Sequence, residues 1–267
     1  MSGHIICVTA GQRSGTNAFR KSLSNTGRLN DVGEIFNTAT LDWPGNFFTY
    51  CREREIGFSD ILSGVDAEEL CKRYVATLRE LSGEAHLLFD VKFNSWGQIR
   101  APWSYMHQEP YFFGHLKNHE AKFVFIWRRD MVSQIISDRI GAAIGKWHNV
   151  KAEHVREPVT LDVEENRMLA ELMCQSELYF WNQLKAYPHT LLLCYEELFE
   201  GSALSADAQA KVCDFVGEPL QFRERGYYQK NDICQPEVVA NYDAVAEAVS
   251  AAVAAGRGAF LAQMSKR

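Results

Sequence analysis

Arg13, Ser14 and Thr16 surround Gly15 in the stretch Ala10-Gly-Gln-Arg-Ser-Gly-Thr-Asn-Ala-Phe19, which follows the apolar run His4-Ile-Ile-Cys-Val-Thr9. A short buried strand that enters a glycine-bearing turn and then a helix brings backbone N–H groups and the positive end of a helix dipole to one point. That arrangement holds phosphate-like anions. The cation of Arg13 and the hydroxyls of Ser14 and Thr16 add side-chain ligands to it.

A second group of anion ligands follows another apolar run. Phe123-Val-Phe-Ile-Trp127 leads into Arg128-Arg129-Asp130. Ser133 and Ser137 then stand four residues apart on one face of a predicted helix, opposite the side of Ile135, Ile136 and Ile140. Ligands of open parallel sheets sit beyond the carboxyl ends of the strands, so both groups point to the same place. A bidentate arginine with a serine hydroxyl makes a second phosphate site. The same residues also read as arginines paired with a nearby carboxylate and serines in water. Two anion sites, each at a strand end, point to a ligand with two separated phosphate-like groups.

These groups need a sheet to position them. Ile5–Val8, Leu87–Val91, Phe123–Trp127 and Leu191–Tyr195 read as buried parallel strands, because continuous hydrophobicity suits strands covered on both faces. Asp66-Ala-Glu-Glu69 opens a helix whose inward residues are Leu70, Tyr74, Leu78 and Leu81, before Gly83. From Asp130, an apolar face runs through Val132, Ile135, Ile136, Ile140, Ala143 and Trp147. Asp162-Val-Glu-Glu165 opens another helix, with Leu169, Leu172, Met173, Phe180 and Leu184 inward. Pro236 suits the first turn of a last helix that carries Val239, Tyr242, Val245, Val249 and Val253 and ends near Gly256. Alternating strands and helices predict βαβ units, and hence an α/β protein: a three-layer α/β/α sandwich around a central parallel sheet. Residues 40–64 read as loops over the site, and residues 1–267 as a single domain.

The formal charge of -6 argues against nucleic-acid and anionic-membrane partners. No apolar stretch reaches the length of a membrane span, and Met1-Ser2-Gly3-His4 lacks a signal-peptide pattern. The seven cysteines are scattered, without CxxC spacing. They read as buried reduced thiols of a cytoplasmic protein, with no structural zinc. The histidines show no metal-ligand spacing, and no metal is expected.

The first turn is similar to the nucleotide-binding loops of P-loop proteins. It lacks the Gly-Lys-Ser/Thr ending that holds β/γ-phosphates and magnesium. Gln12-Arg-Ser-Gly-Thr-Asn17 resembles the 5′-phosphosulfate loop of sulfotransferases that use 3′-phosphoadenosine 5′-phosphosulfate (PAPS). Trp127-Arg-Arg-Asp130 with Gln134-Ile-Ile-Ser137 resembles their 3′-phosphate segment. More specifically, the chain resembles the bacterial carbohydrate sulfotransferases of the trehalose 2-sulfotransferase type. The matching pieces are Asp31-Val-Gly-Glu-Ile-Phe-Asn37, Asp90-Val-Lys-Phe93 with Trp96, Gly145-Lys-Trp-His148 and Tyr195-Glu-Glu-Leu198, all in the family's order. Gln12 stands where these loops commonly have proline, and the proline that precedes the family's catalytic glutamate is missing.

The resemblance implies a P-loop-like sulfotransferase fold and a role for each matching residue. Backbone N–H groups of Ser14, Gly15, Thr16 and Asn17 would hold the 5′-phosphate, with the Ser14 and Thr16 hydroxyls. Arg13 would stabilise charge on the leaving group. Arg129 and Ser137 would hold the 3′-phosphate, Arg128 being the alternative to Arg129. Glu34 would be the general base; without the resemblance it reads as an ordinary loop carboxylate. His148 is an alternative base. Lys92, Trp96, Trp147 and His148 are candidate acceptor-site residues, while Trp96 and Trp147 read equally well as core. Lys230, in Tyr228-Gln-Lys-Asn-Asp232, is a candidate cofactor contact. The acceptor would be a hydroxyl of a carbohydrate or glycolipid, the enzyme a homodimer without metal. Two rival readings are an ATP-dependent small-molecule kinase, against which the absent Gly-Lys-Ser/Thr counts, and a non-catalytic binding module.

Overall fold

A computed structural model describes residues 3–57, 60–61, 66–99, 109–145, 157–223 and 235–265. Its centre is a five-stranded sheet, all parallel, in the order β2-β3-β1-β4-β5. The strands are β1 (Ile5–Ala10), β2 (Leu29–Glu34), β3 (His86–Lys92), β4 (Lys122–Trp127) and β5 (Thr190–Cys194). Four are the expected apolar runs, each shifted or lengthened by a residue or two. The fifth, β2, reads Leu-Asn-Asp-Val-Gly-Glu. It is an edge strand and carries no apolar run for a pattern to detect.

Alternation along β1 separates the two faces of the sheet. Ile5 and Cys7 join a cluster with Phe89, Phe123 and Phe125. Ile6, Val8 and Ala10 join another with Leu88, Val124 and Ile126. The second face is covered by α1 (Thr16–Ser24), through Phe19 and Leu23, and by a later helix at Ala206–Val216. The first face is covered by α2 (Phe47–Glu53), α3 (Ala67–Ser82), α4 (Tyr111–Asn118) and the inner end of a long helix at Val163–Leu184. The layers are therefore helix, sheet and helix, as expected.

The remaining elements run in order. α5 (Met131–Ile144) follows β4, α6 is the long helix Val163–Leu184, and α7 (Tyr195–Leu198) follows β5. A small ribbon, β6 (Phe199–Glu200) and β7 (Ala203–Leu204), precedes α8, the helix Ala206–Val216. α9 (Gln235–Val238), α10 (Tyr242–Gly256) and α11 (Gly258–Met264) close the chain. Val245, Val249 and Ala252 of α10 pack with Ala170 and Cys174 of α6 and with Ile135 and Ile136 of α5. The alanine-rich segment 251–255 thus turns Ala252 onto the protein's own core.

Several expectations change. Residues 40–64 are not only loop, because α2 buries Phe47, Tyr50 and Cys51 around Tyr74. Leu81 and Leu172 are exposed rather than inward: Leu81 lies in the last turn of its helix, and Leu172 lies on the face opposite the buried Ala170, Cys174 and Glu177. Ala143 is exposed too. The expected last helix is two pieces, broken after Val238; it ends at Gly256 as expected, and the short helix Gly258–Met264 follows it. Asp66 makes no capping hydrogen bond, whereas Asp130 and Asp162 cap α5 and α6 by accepting from the N–H groups of Ser133 and Glu165. Among the described residues no single helix is long and apolar enough to cross a membrane, and the six cysteines are free thiols, five of them buried.

Candidate active site

The chain leaves β1 towards α1 on one face of the sheet and leaves β4 towards α5 and α6 on the other. A crevice opens where such paths diverge, beyond the carboxyl ends of the two strands. The turns after β1 and β4 meet there. Gln134, buried on α5, donates from Nε2 to the carbonyl of Gln12 at 2.5 Å and to the hydroxyl of Ser14 at 3.0 Å. Arg13 Nε donates to Ser137 Oγ at 3.3 Å. Arg128 Nη1 donates to the carbonyl of Arg13 at 3.1 Å. The two groups of candidate anion ligands that the sequence separates by more than a hundred residues therefore meet in one place.

Backbone geometry fixes the first turn. Gly15 is the N-cap of α1 at φ 71°, and no side chain caps the helix, so its first-turn N–H groups remain available to a ligand. A Cβ on Gly15 would sit 2.8 Å from Cε2 of Tyr195, so the turn packs directly on that ring. The same ring carries the Arg128 guanidinium, 4.5 Å from its centroid. Arg13 also takes a left-handed conformation, φ 60°, which is strained for a residue with a Cβ.

The turn after β4 is held by a frame of charged side chains. The N–H groups of Arg129 and Asp130 donate to the Glu196 carboxylate at 2.8 and 3.1 Å. Burial pushes the Glu196 carboxyl up, but these bonds outweigh it and hold it below its ordinary value. Arg257, 1% exposed, donates to the carbonyls of Arg128 and Arg129 and is itself paired with Glu177. The Arg129 side chain is exposed and bonds Glu197. Arg128 is largely buried, and its Nε makes no hydrogen bond among the described residues.

At the ends of β2 and β3, Glu34 pairs in register with Asp90. Burial raises the Glu34 carboxyl above its ordinary value. The charge of Asp90 adds to this, while Lys92, Arg20 and a hydrogen bond from Asn37 oppose it. Asp90 is fully buried between Arg20 and Lys92. Burial pushes its carboxyl up, and those two cations more than reverse the effect. Glu34 is thus the carboxylate of the pair with the higher proton affinity, which suits it to accept a proton.

The structure corrects some expected roles. The Thr16 hydroxyl accepts from Lys92 Nζ and donates to Asp90, so it braces the strand ends rather than facing an anion. Lys92 is buried, with its ammonium on Asp90 at 2.5 Å, and is not presented to an acceptor. Trp96 is 1% exposed. Its indole N–H bonds Thr9 at 3.0 Å and its ring packs among Phe112, Phe113 and Phe123, so no face is open to a sugar. Trp147, His148 and Lys230 lie outside the described residues.

The sequence places Gln134, Asp90, Tyr195 and Glu196 in matching segments without a role for any of them, and Arg20, Glu177 and Arg257 are missed. Gln134 had a signal: it interrupts an otherwise apolar helix stripe. Arg257 had none, because its partners lie eighty and more residues away.

Among the described residues no cluster of three His, Cys, Asp or Glu side chains could hold a metal ion. No protein-family model matches the sequence, and no curated protein matches it. Among the solved structures that match is the sulfotransferase domain from the Synechococcus PCC 7002 olefin synthase. It is 14% identical, with a TM-score of 0.48, over 83% of this chain and 76% of that one.

Proposed function

We propose that this protein is a sulfotransferase that moves a sulfuryl group from PAPS to a hydroxyl of a carbohydrate or glycolipid-type acceptor. The observation that carries the reading is the joining of the two segments that resemble phosphosulfate and 3′-phosphate loops. Arg13 bonds Ser137 and Gln134 bonds Ser14, so both segments face one crevice. The residues fit the donor. The turn packs so closely on Tyr195 that only glycine suits position 15, and the buried Arg128 Nε, 3.8 Å from Glu196 Oε1, makes no hydrogen bond among the described residues.

In this reading the N–H groups from Ser14 to Asn17 bind the 5′-phosphate. Ser137 binds the 3′-phosphate with Arg129 or Arg128. Glu34 takes the proton of the acceptor hydroxyl as the new oxygen–sulfur bond forms. The bond from sulfur to the bridging oxygen breaks, and Arg13 stabilises the charge that develops on the departing adenosine bisphosphate. Positioning and electrostatics dominate such transfers. A sulfonate carries less charge than a terminal phosphate, so the reading calls for no metal. The free thiols fit a reducing, cytoplasmic setting.

Calorimetric titration with adenosine 3′,5′-bisphosphate, with ADP–magnesium in parallel, tests the proposal. Micromolar binding of the bisphosphate and none of ADP is the expected result. Binding of ADP–magnesium alone would replace the sulfotransferase with a kinase.

A further inference from the structure

The connection between β2 and α2 carries two exposed large apolar side chains, Leu41 at 38% and Trp43 at 40%. Trp43 is not a loose surface residue. A Cβ on Gly33 would fall 1.9 Å from its Cε3 and 2.1 Å from its Cζ3. The indole therefore rests on the backbone of the residue immediately before Glu34. Gly33 lies at φ 92°, and both its dihedral and this close approach require glycine.

The loop beneath the indole is fixed. Asn46 donates from Nδ2 to the carbonyl of Asn37 at 2.8 Å and from its N–H to the carbonyl of Trp43 at 2.9 Å. The N–H of Trp43 donates to the carbonyl of Thr40 at 3.1 Å, and Thr49 Oγ1 donates to the carbonyl of Leu41. Asn37 is the hub, since its side chain also hydrogen-bonds Glu34. One residue thus touches the candidate base and anchors the loop that presents the indole.

We infer that Trp43 is the platform of the acceptor subsite, packing against the C–H face of a neutral sugar ring whose hydroxyl reaches Glu34. The inference rests on the sulfotransferase reading above. A fixed aromatic ring beside hydrogen-bonding groups matches a sugar, which has an apolar face and a polar rim. Asp42 is exposed and Thr40 partly so, next to the indole, and both can bond hydroxyls. An alkyl chain would make no use of them.

The test compares wild type, Trp43→Phe and Trp43→Ala in PAPS-dependent sulfation of neutral sugars, trehalose included, and of dodecanol. Calorimetry with adenosine 3′,5′-bisphosphate runs in parallel. The expected result is sulfation of a sugar, with KM for that sugar raised about tenfold in Trp43→Ala and largely restored in Trp43→Phe. Bisphosphate affinity stays unchanged in all three proteins. A wild-type KM in Trp43→Ala overturns the inference. So does sulfation of dodecanol alone, or of nothing in the panel, by a protein that binds the bisphosphate. Failure of wild type to bind the bisphosphate overturns the underlying function instead.

Discussion

Arg257 donates from Nη2 to the backbone carbonyl of Arg128 at 2.5 Å, joining the junction of the last two helices to the end of the fourth strand. Its Nη1 reaches the carbonyl of Arg129 at 2.9 Å, and Glu177 takes its Nε and Nη2 at 2.6 and 2.7 Å. Glu196 holds the neighbouring N–H groups from the other side. The turn that carries the candidate 3′-phosphate ligands is therefore set by carboxylate and guanidinium forks, and a shift of either fork re-aims it.

Arg257→Ala would leave Glu177 buried without its partner and two carbonyls without donors. Truncating one member of a buried pair costs about 3–5 kcal/mol, so urea denaturation should show a large loss of stability. Arg257→Lys keeps the charge but lacks the planar fork. It should fold with a smaller loss and bind adenosine 3′,5′-bisphosphate several-fold more weakly. Wild-type affinity in a folded Arg257→Lys protein would show that the frame does not position the ligand-binding turn.

Glu34→Gln should leave bisphosphate affinity intact and lower kcat by about 10²–10⁴-fold, the usual contribution of a positioned base. The carboxyl of Glu34 is raised in the folded protein, and the proposed role as base needs it ionised. The acid limb of the kcat profile should therefore have its midpoint above the ordinary glutamate value of about 4.3. The linked stability has the opposite sense: the contribution of protonated Glu34 is full below the unfolded value and disappears as pH rises through the folded one. Glu34→Gln should abolish that acid limb, and a limb that survives the substitution would belong to another group.

The site was legible where backbone chemistry dictates it. Gly15 between two hydroxyl residues after an apolar run marks an anion turn, and Arg128-Arg129 after Phe123–Trp127 marks a strand end. Glu34 was legible only through its resemblance to a family motif, because the strand that carries it lies at the sheet edge and has no apolar pattern. The reading of Trp96 and Lys92 as acceptor residues fails for a different reason. Type and spacing place both at the right end of β3, but burial is decided by what packs there: α4 covers the indole, and Asp90 with Thr16 takes the ammonium. Arg257 and Glu177 form a contact between distant segments, which no local pattern records.

Gly15→Ala tests the turn itself. At φ 71° a side chain is strained, at a cost of about 1–2 kcal/mol, and its Cβ would press on the Tyr195 ring. Relief requires the turn or Tyr195 to move, and Arg128 stacks on the same ring. The variant should lose modest stability in urea denaturation but at least tenfold in bisphosphate affinity by calorimetry. A second substitution, Tyr195→Ala, would remove the clash. If Gly15→Ala with Tyr195→Ala bound no better than Gly15→Ala alone, the dihedral rather than the ring would be the constraint.

Arg13 and Arg129 should divide their effects between turnover and binding. Arg13 stands between the first turn and Ser137, where the proposed reaction develops charge as the bridging bond breaks. In that reaction its contact would strengthen in the transition state, so Arg13→Ala should lower kcat by about 10²-fold or more with little change in bisphosphate affinity. Arg129 is exposed and bonds Glu197, an exposed pair worth little by itself, so its guanidinium can exchange that partner for a phosphate at small cost. Arg129→Ala should therefore weaken bisphosphate binding while leaving kcat at saturating donor near wild type. If Arg128→Ala produces that pattern and Arg129→Ala does not, the 3′-phosphate belongs to the buried arginine on Tyr195.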